Sequence, residues 1–536
     1  RPGHGVGGGG GEPVADVAVV NGNLLTMEPA RPVAEAALVR GGRIALVGTT
    51  QEVMARAREL PGTPILDCAG RTVVPGFIDG HAHFEMTCCA LTHCLSLMTP
   101  PYNTLDAIAD ALYERVSVTP PGGWILARGS FNLYDRVVEK RLFTRQELDA
   151  ISTEHPIVFY SSLHVTMLNT RALVELGLWD REPPRGVVLH RAEDGTPTGV
   201  VTEVWDLVPG FKVEEVMAAI RARGTALFLS RGVTTIHDLP YSAEDVRALQ
   251  ALQATGELPI RFRIYYHVPH QIDLEPLLAM GLAPGFGNDL LRYGGVKIFV
   301  DGVGHDGYGH RVWDLKWEPD DLTEFVCRVH GAGQQLWMHV CCQPSIRLAA
   351  DAVEEALRRH PAPHRHRIEH AADYLVDEDD MRRLRELGIR IVTTPQFIYA
   401  QGDTLSLPGS ERFPRPFRLR TLIDQGFEIV GSSDSTGTVP DGITPLFNIA
   451  SAVTRRTGSG RRYRPEEAIT VEEALKLFTV WPALGTFEEA DKGSLAPGKL
   501  GDFAVLSADP RAVEPDALFD VKVEATLIGG AVAWGG

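Results

Sequence analysis

Cysteine is scarce. Seven occur in 536 residues (Cys68, Cys88, Cys89, Cys94, Cys327, Cys341, Cys342), an odd number with no C-x-x-C pair. That spacing excludes zinc ribbons and thioredoxin-type redox sites, and so few thiols in so long a chain point to a reduced, cytoplasmic setting. Asn-x-Ser/Thr acceptors are also missing. No window approaches 18 uninterrupted apolar residues, so no membrane span is expected. Basic residues are outnumbered, 52 Lys and Arg against 69 Asp and Glu, for a net charge of −17. Without a Lys/Arg-rich run, a nucleic-acid partner is excluded. The opening RPGHGVGGGGGEP has no apolar h-region, so it is not a secretory signal. Its glycines lack the Lys-Ser/Thr of a phosphate loop and follow no strand. Residues 1–13 are therefore set aside as a flexible leader.

What is there is an ordinary globular composition, 44% hydrophobic and 23% charged. At about 150 residues per domain, the length allows three to four domains or one large barrel with accessories. Residues 15–20 begin an apolar, alternating stretch, and Asn21-Gly22 is a tight-turn signal. The far end looks alike at 502–509 and 523–536. Each piece alone is too short to bury a sheet face, so 14–70 and 487–536 are expected to form one β-sandwich.

Between them, apolar runs ending in polar residues lie at 73–84, 233–238, 261–267, 295–302, 335–340, 366–371, 389–396 and 428–435. Helical patterns sit between most of them, as at 345–359 and 378–387, with apolar residues at i, i+3 and i+4. Eight strands alternating with helices predict an α/β fold, a distorted (β/α)8 barrel over 71–486. A doubly wound sheet fits the alternation as well. The interval of about 85–230 breaks the rhythm and reads as an insertion decorating the barrel.

His81-Ala82-His83 closes the first of these strands. Histidines at i and i+2 point to one side, here the barrel interior, at the strand end where barrel sites lie. Two imidazoles on one side suit a divalent metal. Other ligand types recur at the same ends: His339 after QLWM, His370 after HRIE, Asp434 after EIVGSS, and Lys297 within VKIFVDG. Buried without partners, each would cost about 1–3 kcal/mol, whereas a shared metal satisfies them together. Lys297 is tolerable inside a barrel if it pairs with a carboxylate such as Asp301 or reacts with CO2 to give a carbamate able to bridge two metals.

Taken in order, PGFIDGHAH, VKIFVDG, MHV, RIEHA, GSSDS and the closing GSLAPGKLGDFAVL resemble the amidohydrolase superfamily. More narrowly they resemble amidohydrolase family 3, the branch of N-substituted formamide deformylase-like metal-dependent hydrolases. The resemblance runs from about residue 14 to the C-terminus. It implies a distorted barrel plus a terminal β-sandwich, one or two zinc ions, and hydrolysis of C–N bonds other than peptide bonds. It implies that His81 and His83 bind the buried metal, that Lys297 is the carboxylated bridge, and that His339 and His370 bind the second metal. Asp434 becomes the catalytic acid/base that also touches metal. SLHVTMLNTRAL resembles a segment that places His164 and Asn169 near substrate, and GVVTE one ending in Glu203. The implied mechanism is attack by metal-activated hydroxide on an amide-type carbonyl of a small organic substrate. Asp434 moves the proton and His164 helps hold the oxyanion. Deamination, ester or lactone hydrolysis at the same site, or a metal-free scaffold, are the other readings. The expected partner is a small molecule, with a homo-oligomer left open.

One departure stands out. The family usually continues its strand-five His with Gly-Asp, and here His339 is followed by Val340-Cys341-Cys342-Gln343. Gln343 at the Asp position removes a usual charge in or near the site, and Cys341 and Cys342 are either pocket wall or soft ligands. Gly302-Val303-Gly304-His305-Asp306-Gly307 matches G-x-G-x-x-G but opens no helix, so it reads as a loop over the site, with His305, His310 and Trp313 as substrate contacts. Phe84, Phe397 and Tyr399 complete the candidate pocket.

Overall fold

The computed structural model describes residues 14–535, apart from 131–132, 162–163, 185–186, 205–206, 306–310, 408–413 and 436–440, and apart from the side chains at 135, 303–305 and 311–314. Eight strands form one parallel series: β1 (Phe77–Ala82), β2 (Val233–Asp238), β3 (Arg261–His267), β4 (Leu291–Phe299), β5 (Leu336–His339), β6 (Arg367–Glu369), β7 (Arg390–Thr393) and β8 (Val430–Gly431). Neighbours in sequence are neighbours in the sheet, all in parallel register. The ring closes where Asp434 donates its N–H to the His81 carbonyl at 2.9 Å and Ser433 donates to Asp79 Oδ1 at 2.9 Å. Gly80 permits this approach, because a Cβ there would stand 2.6 Å from the Gly431 carbonyl oxygen. This is the expected (β/α)8 barrel. Strand residues are buried on both faces, as the helices around a parallel sheet require. The helices Gln343–Arg359 and Glu378–Glu386 lie where the apolar period placed them.

The run 73–84 is two strands. Thr72–Pro75 leaves the barrel and pairs with Phe503–Leu506, and β1 begins after Gly76. The first strand thus joins a six-stranded sheet with Phe503–Leu506, Val523–Ile528 and Ala531–Gly535 from the far end and Asn23–Leu25 and Val33–Ala34 from the near end. A four-stranded sheet (Val17–Val20, Ala36–Arg40, Arg43–Gly48, Ile65–Asp67) faces it across a core that includes Val19, Leu24, Val39, Val73, Phe503 and Leu527. Both ends of the chain therefore supply one hydrophobic core.

The insertion does more than decorate the barrel. It builds a six-stranded sheet from Leu95–Leu97, Ile125–Gly129, Ile157–Tyr160, Val165–Leu168, Pro197–Thr202 and Val188–Arg191. Along Ile157–Tyr160 the side chains alternate between two cores: Ile157 and Phe159 join Leu112 and Phe143 on one face, while Val158 and Tyr160 join Leu173 and Val201 on the other. The G-x-G-x-x-G stretch is likewise not a loop throughout. Asp301–His305 pairs antiparallel with Arg311–Leu315. His310 lies outside the described residues, as do the side chains of His305 and Trp313. Among the described residues no helix is long and apolar enough to cross a membrane.

Candidate active site

The strand ends bring His81, His83, Lys297, His339, His370 and Asp434 to one end of the barrel. The His81 and His83 rings lie 5.1 Å apart, those of His81 and His370 5.5 Å, and those of His339 and His370 5.1 Å. Asp434 Oδ1 stands 3.4 Å from His81 Nε2 and 3.3 Å from His83 Nε2. Those separations are long for N–H···O bonds. They match the spacing of ligands around one ion: tetrahedral zinc at about 2.0–2.1 Å from each nitrogen and oxygen sets them about 3.4 Å apart. His81, His370 and Asp434 together form one potential ion-binding group.

The other nitrogens explain why the rings point this way. His81 Nδ1 contacts the Glu369 carboxylate, which Arg367 holds from its other side through Nε at 2.6 Å. His83 Nδ1 meets the Tyr241 hydroxyl at 3.2 Å. A partner on Nδ1 leaves Nε2 turned toward Asp434, where it could serve as a ligand nitrogen. Burial pushes His83 down to about 4 and His370 well below the usual imidazole range, so both are neutral imidazoles at neutral pH. Burial also opposes charge on His81, but the Glu369 and Asp434 carboxylates together raise it overall. Burial alone would raise the Asp434 carboxyl, yet His81 and His83 beside it hold it well below the usual range. Asp434 is therefore a carboxylate.

Beside this group lies a second, Asp301, His339 and Cys341. His339 Nδ1 is 3.1 Å from the Asp301 carbonyl and 3.4 Å from Asp301 Oδ1. Lys297 is fully buried, and its Nζ has no hydrogen-bond partner among the described residues. Burial lowers its amine to about 8, against the pull of Glu369. His370 Nδ1 is also buried without a hydrogen-bond partner. His370 and Asp434 both adopt positive φ, 63° and 47°. Such backbone strain in non-glycine residues collects where side chains must be aimed.

His164 approaches from the insertion, its ring 5.1 Å from that of His339. Its Nδ1 lies 2.7 Å from Glu203 Oε1, and Glu203 also has positive φ. Burial opposes a charged His164 imidazole, but Glu203 raises it overall. The three residues nominated from the insertion thus divide. Asn169 is not at the site: its Oδ1 caps Ala172 and Ile157 N–H groups, and its Nδ2 donates to the Ser152 and His155 carbonyls. Phe84 packs into the core behind the barrel wall against Phe228 and Phe262. Tyr399 packs on Phe447 and Phe519. Gln343 faces away, bonding Asp380 and accepting from Val376 N–H at 3.1 Å, so no site charge is lost there. A carboxylate is present regardless, because Asp301 Oδ2 accepts the Cys341 N–H at 2.9 Å.

Three participants escaped the strand-end reading. Arg367 and Glu369 alternate with Ile368 on β6 and share its inner face, and the positive φ of His370 lets the next residue face the same cluster. Tyr241 sits in the connection after β2, and no local pattern marks it.

Residues 65–533 match the amidohydrolase family, and the chain belongs to it. It is a hydrolase of carbon–nitrogen bonds. N-substituted formamide deformylase of Arthrobacter pascens is 28% identical over 97% of this chain and 98% of its own length. Among solved structures, an uncharacterised metal-dependent hydrolase of Pyrococcus horikoshii superposes with a TM-score of 0.71 at 24% identity, covering 94% of this chain and 99% of that one. Atrazine chlorohydrolase of Arthrobacter aurescens, crystallised with zinc, gives 0.53 at 14% identity over 96% of this chain and 94% of that one. These two likenesses are likenesses of fold.

Proposed function

We propose that the chain hydrolyses an amide-type C–N bond of a small organic molecule using one or two divalent ions, zinc by ligand type. The observation that carries this reading is the approach of Asp434 Oδ1 to His81 Nε2 at 3.4 Å and to His83 Nε2 at 3.3 Å, which has ligand spacing rather than hydrogen-bond spacing. His81, His83 and Asp434 would hold the first ion, with His339 and His370 serving a second. An ion held there would lower the pKa of a water molecule from about 15.7 toward about 7 and would polarise a carbonyl.

The chain's own groups do the rest. Asp434, kept ionised by its two histidines, takes a proton from the attacking water and returns it to the leaving nitrogen. Glu203 orients His164, which would help hold an oxyanion. Lys297 fits the carbamate reading: a buried, unpartnered amine joins CO2 with loss of one proton and becomes an anion. The named activity of the Arthrobacter pascens relative makes N-substituted formamides the first substrates to try.

The test is amine release from N-substituted formamides, N-acyl amines and cyclic amides by the zinc-loaded chain. Asp434→Asn is expected to keep zinc on the histidines and lose about 10²–10⁴-fold in turnover. Wild-type turnover in that variant refutes the role of Asp434.

A further inference from the structure

We infer that Cys341 is a thiolate ligand of the second ion, beside His339 Nε2, with Asp301 as the carboxylate that orients the His339 ring. The inference rests on the metal reading above and adds to it a ligand that the set of Lys297, His339 and His370 does not contain.

Distance comes first. Cys341 Sγ lies 3.5 Å from His339 Nε2. A tetrahedral zinc at about 2.3 Å from sulfur and about 2.0–2.1 Å from nitrogen separates those two ligands by about 3.5 Å. Orientation is consistent with this. His339 Nδ1 faces Asp301, which fixes the proton on that nitrogen and leaves the Nε2 lone pair directed at the sulfur. The same Asp301 accepts the Cys341 N–H at 2.9 Å, so one carboxylate sets the backbone that aims the thiol and the ring that faces it.

The surroundings offer a further donor atom. His370 Nδ1, within the ring that packs 5.1 Å from His339, is buried without a hydrogen-bond partner. The adjacent cysteine is not equivalent: Cys342 Sγ turns to Ser345 Oγ at 3.5 Å and Asp301 Oδ2 at 3.7 Å, away from the imidazole. Binding breaks the Cys341 S–H bond, forms a sulfur–metal bond and sends the proton to solvent, with no change of oxidation state. Thiolate in the set favours zinc, cadmium or cobalt over magnesium and manganese.

X-ray absorption at the zinc edge of the full-length, zinc-loaded chain is the direct test. The expected spectrum contains a sulfur scatterer at about 2.3 Å. Zinc bound in a nitrogen and oxygen shell alone overturns the thiolate and leaves the metal reading standing. A chain that takes up no zinc overturns both. Cobalt(II) substitution supplies the residue assignment. The wild type and Cys342→Ser are expected to show an intense near-ultraviolet sulfur-to-cobalt band that Cys341→Ser lacks. Retention of the band in Cys341→Ser, or its loss in Cys342→Ser instead, refutes the assignment. The wild-type zinc spectrum decides the question even if a variant fails to fold.

Discussion

Replacing Glu369 by Gln changes one oxygen to an amide nitrogen and should cost zinc affinity through a tautomer. Glu369 accepts from Arg367 Nε at 2.6 Å with Oε1 and meets His81 Nδ1 with Oε2. If the glutamine oxygen stays on Arg367, its NH2 faces His81 Nδ1. That nitrogen must then accept, and the ring proton moves to Nε2, the atom aimed at Asp434 and at the ion. If the amide flips, NH2 confronts the guanidinium, a buried donor–donor clash of about 1–3 kcal/mol. Either way the ligand nitrogen is compromised. Losing such an outer partner typically lowers metal affinity 10- to 100-fold, about 1.4–2.7 kcal/mol. The fold should survive, because Arg367 still donates to the Gly80 carbonyl at 2.6 Å and lies 3.3 Å over the Trp337 ring. The assay is competition with a chromophoric zinc chelator at neutral pH, with thermal melting of the zinc-free chain as control. A double-mutant cycle with His81→Ala tests the route: once His81 is gone, Glu369→Gln should cost little more. Unchanged affinity in a folded Glu369→Gln variant, or an equal loss in the His81→Ala background, refutes the reasoning.

Other expectations follow from the same geometry. Asp79 accepts from Ser433 and His81 N–H groups with Oδ1 while buried Oδ2 has no hydrogen-bond partner, and burial raises the carboxyl to about 6. The native zinc-free chain then keeps a proton that the unfolded chain has lost, so stability falls by about 2–3 kcal/mol as pH rises from 4 through 6. Asp79→Asn should remove that slope in urea melts at pH 4–8, and an unaltered slope counts against it. Asn169→Ala should destabilise by about 1–3 kcal/mol through its unmet backbone groups. Turnover per folded molecule should be unchanged, and a selective loss of kcat would restore Asn169 to the site. Carbon-13 NMR of the zinc-loaded chain equilibrated with labelled bicarbonate should show a carbamate carbon in the wild type and none in Lys297→Arg. No such resonance in the wild type removes the bridge.

The barrel and the cluster of polar residues at its strand ends were legible because each depends on local sequence. A parallel strand buried on both faces reads as a short apolar run. A candidate ligand stands at or just past its end, directly at His339 and after one or two other polar residues at His370 and Asp434. Adjacent strands needed no long-range information, since sequence neighbours are sheet neighbours. The run 73–84 concealed its division because Val73-Val74 and Phe77-Ile78 are equally buried, in different sheets. Hydropathy reports burial but not the partner. Asn169 misled for a related reason: Asn before a helical Thr-Arg-Ala-Leu is also an N-cap pattern, and the cap claimed the side chain.

The groups that orient the ligands were harder to read, in proportion to how far away they originate. Glu369 is two residues from Arg367 with apolar Ile368 between them, so alternation puts the two on one face, but only the positive φ of His370 brings that face to the cluster. Asp301 reaches His339 across 38 residues, and Tyr241 reaches His83 across 158. Such contacts exist only because the barrel returns each strand end to the same rim. The first ring of ligands is thus written strand by strand, whereas the second is written by closure of the barrel. The departure after His339 belongs to that second kind. In sequence, Gln343 looked like the altered residue. In the folded chain it turns outward to Asp380, and Cys341, two residues beyond the histidine, faces the imidazole.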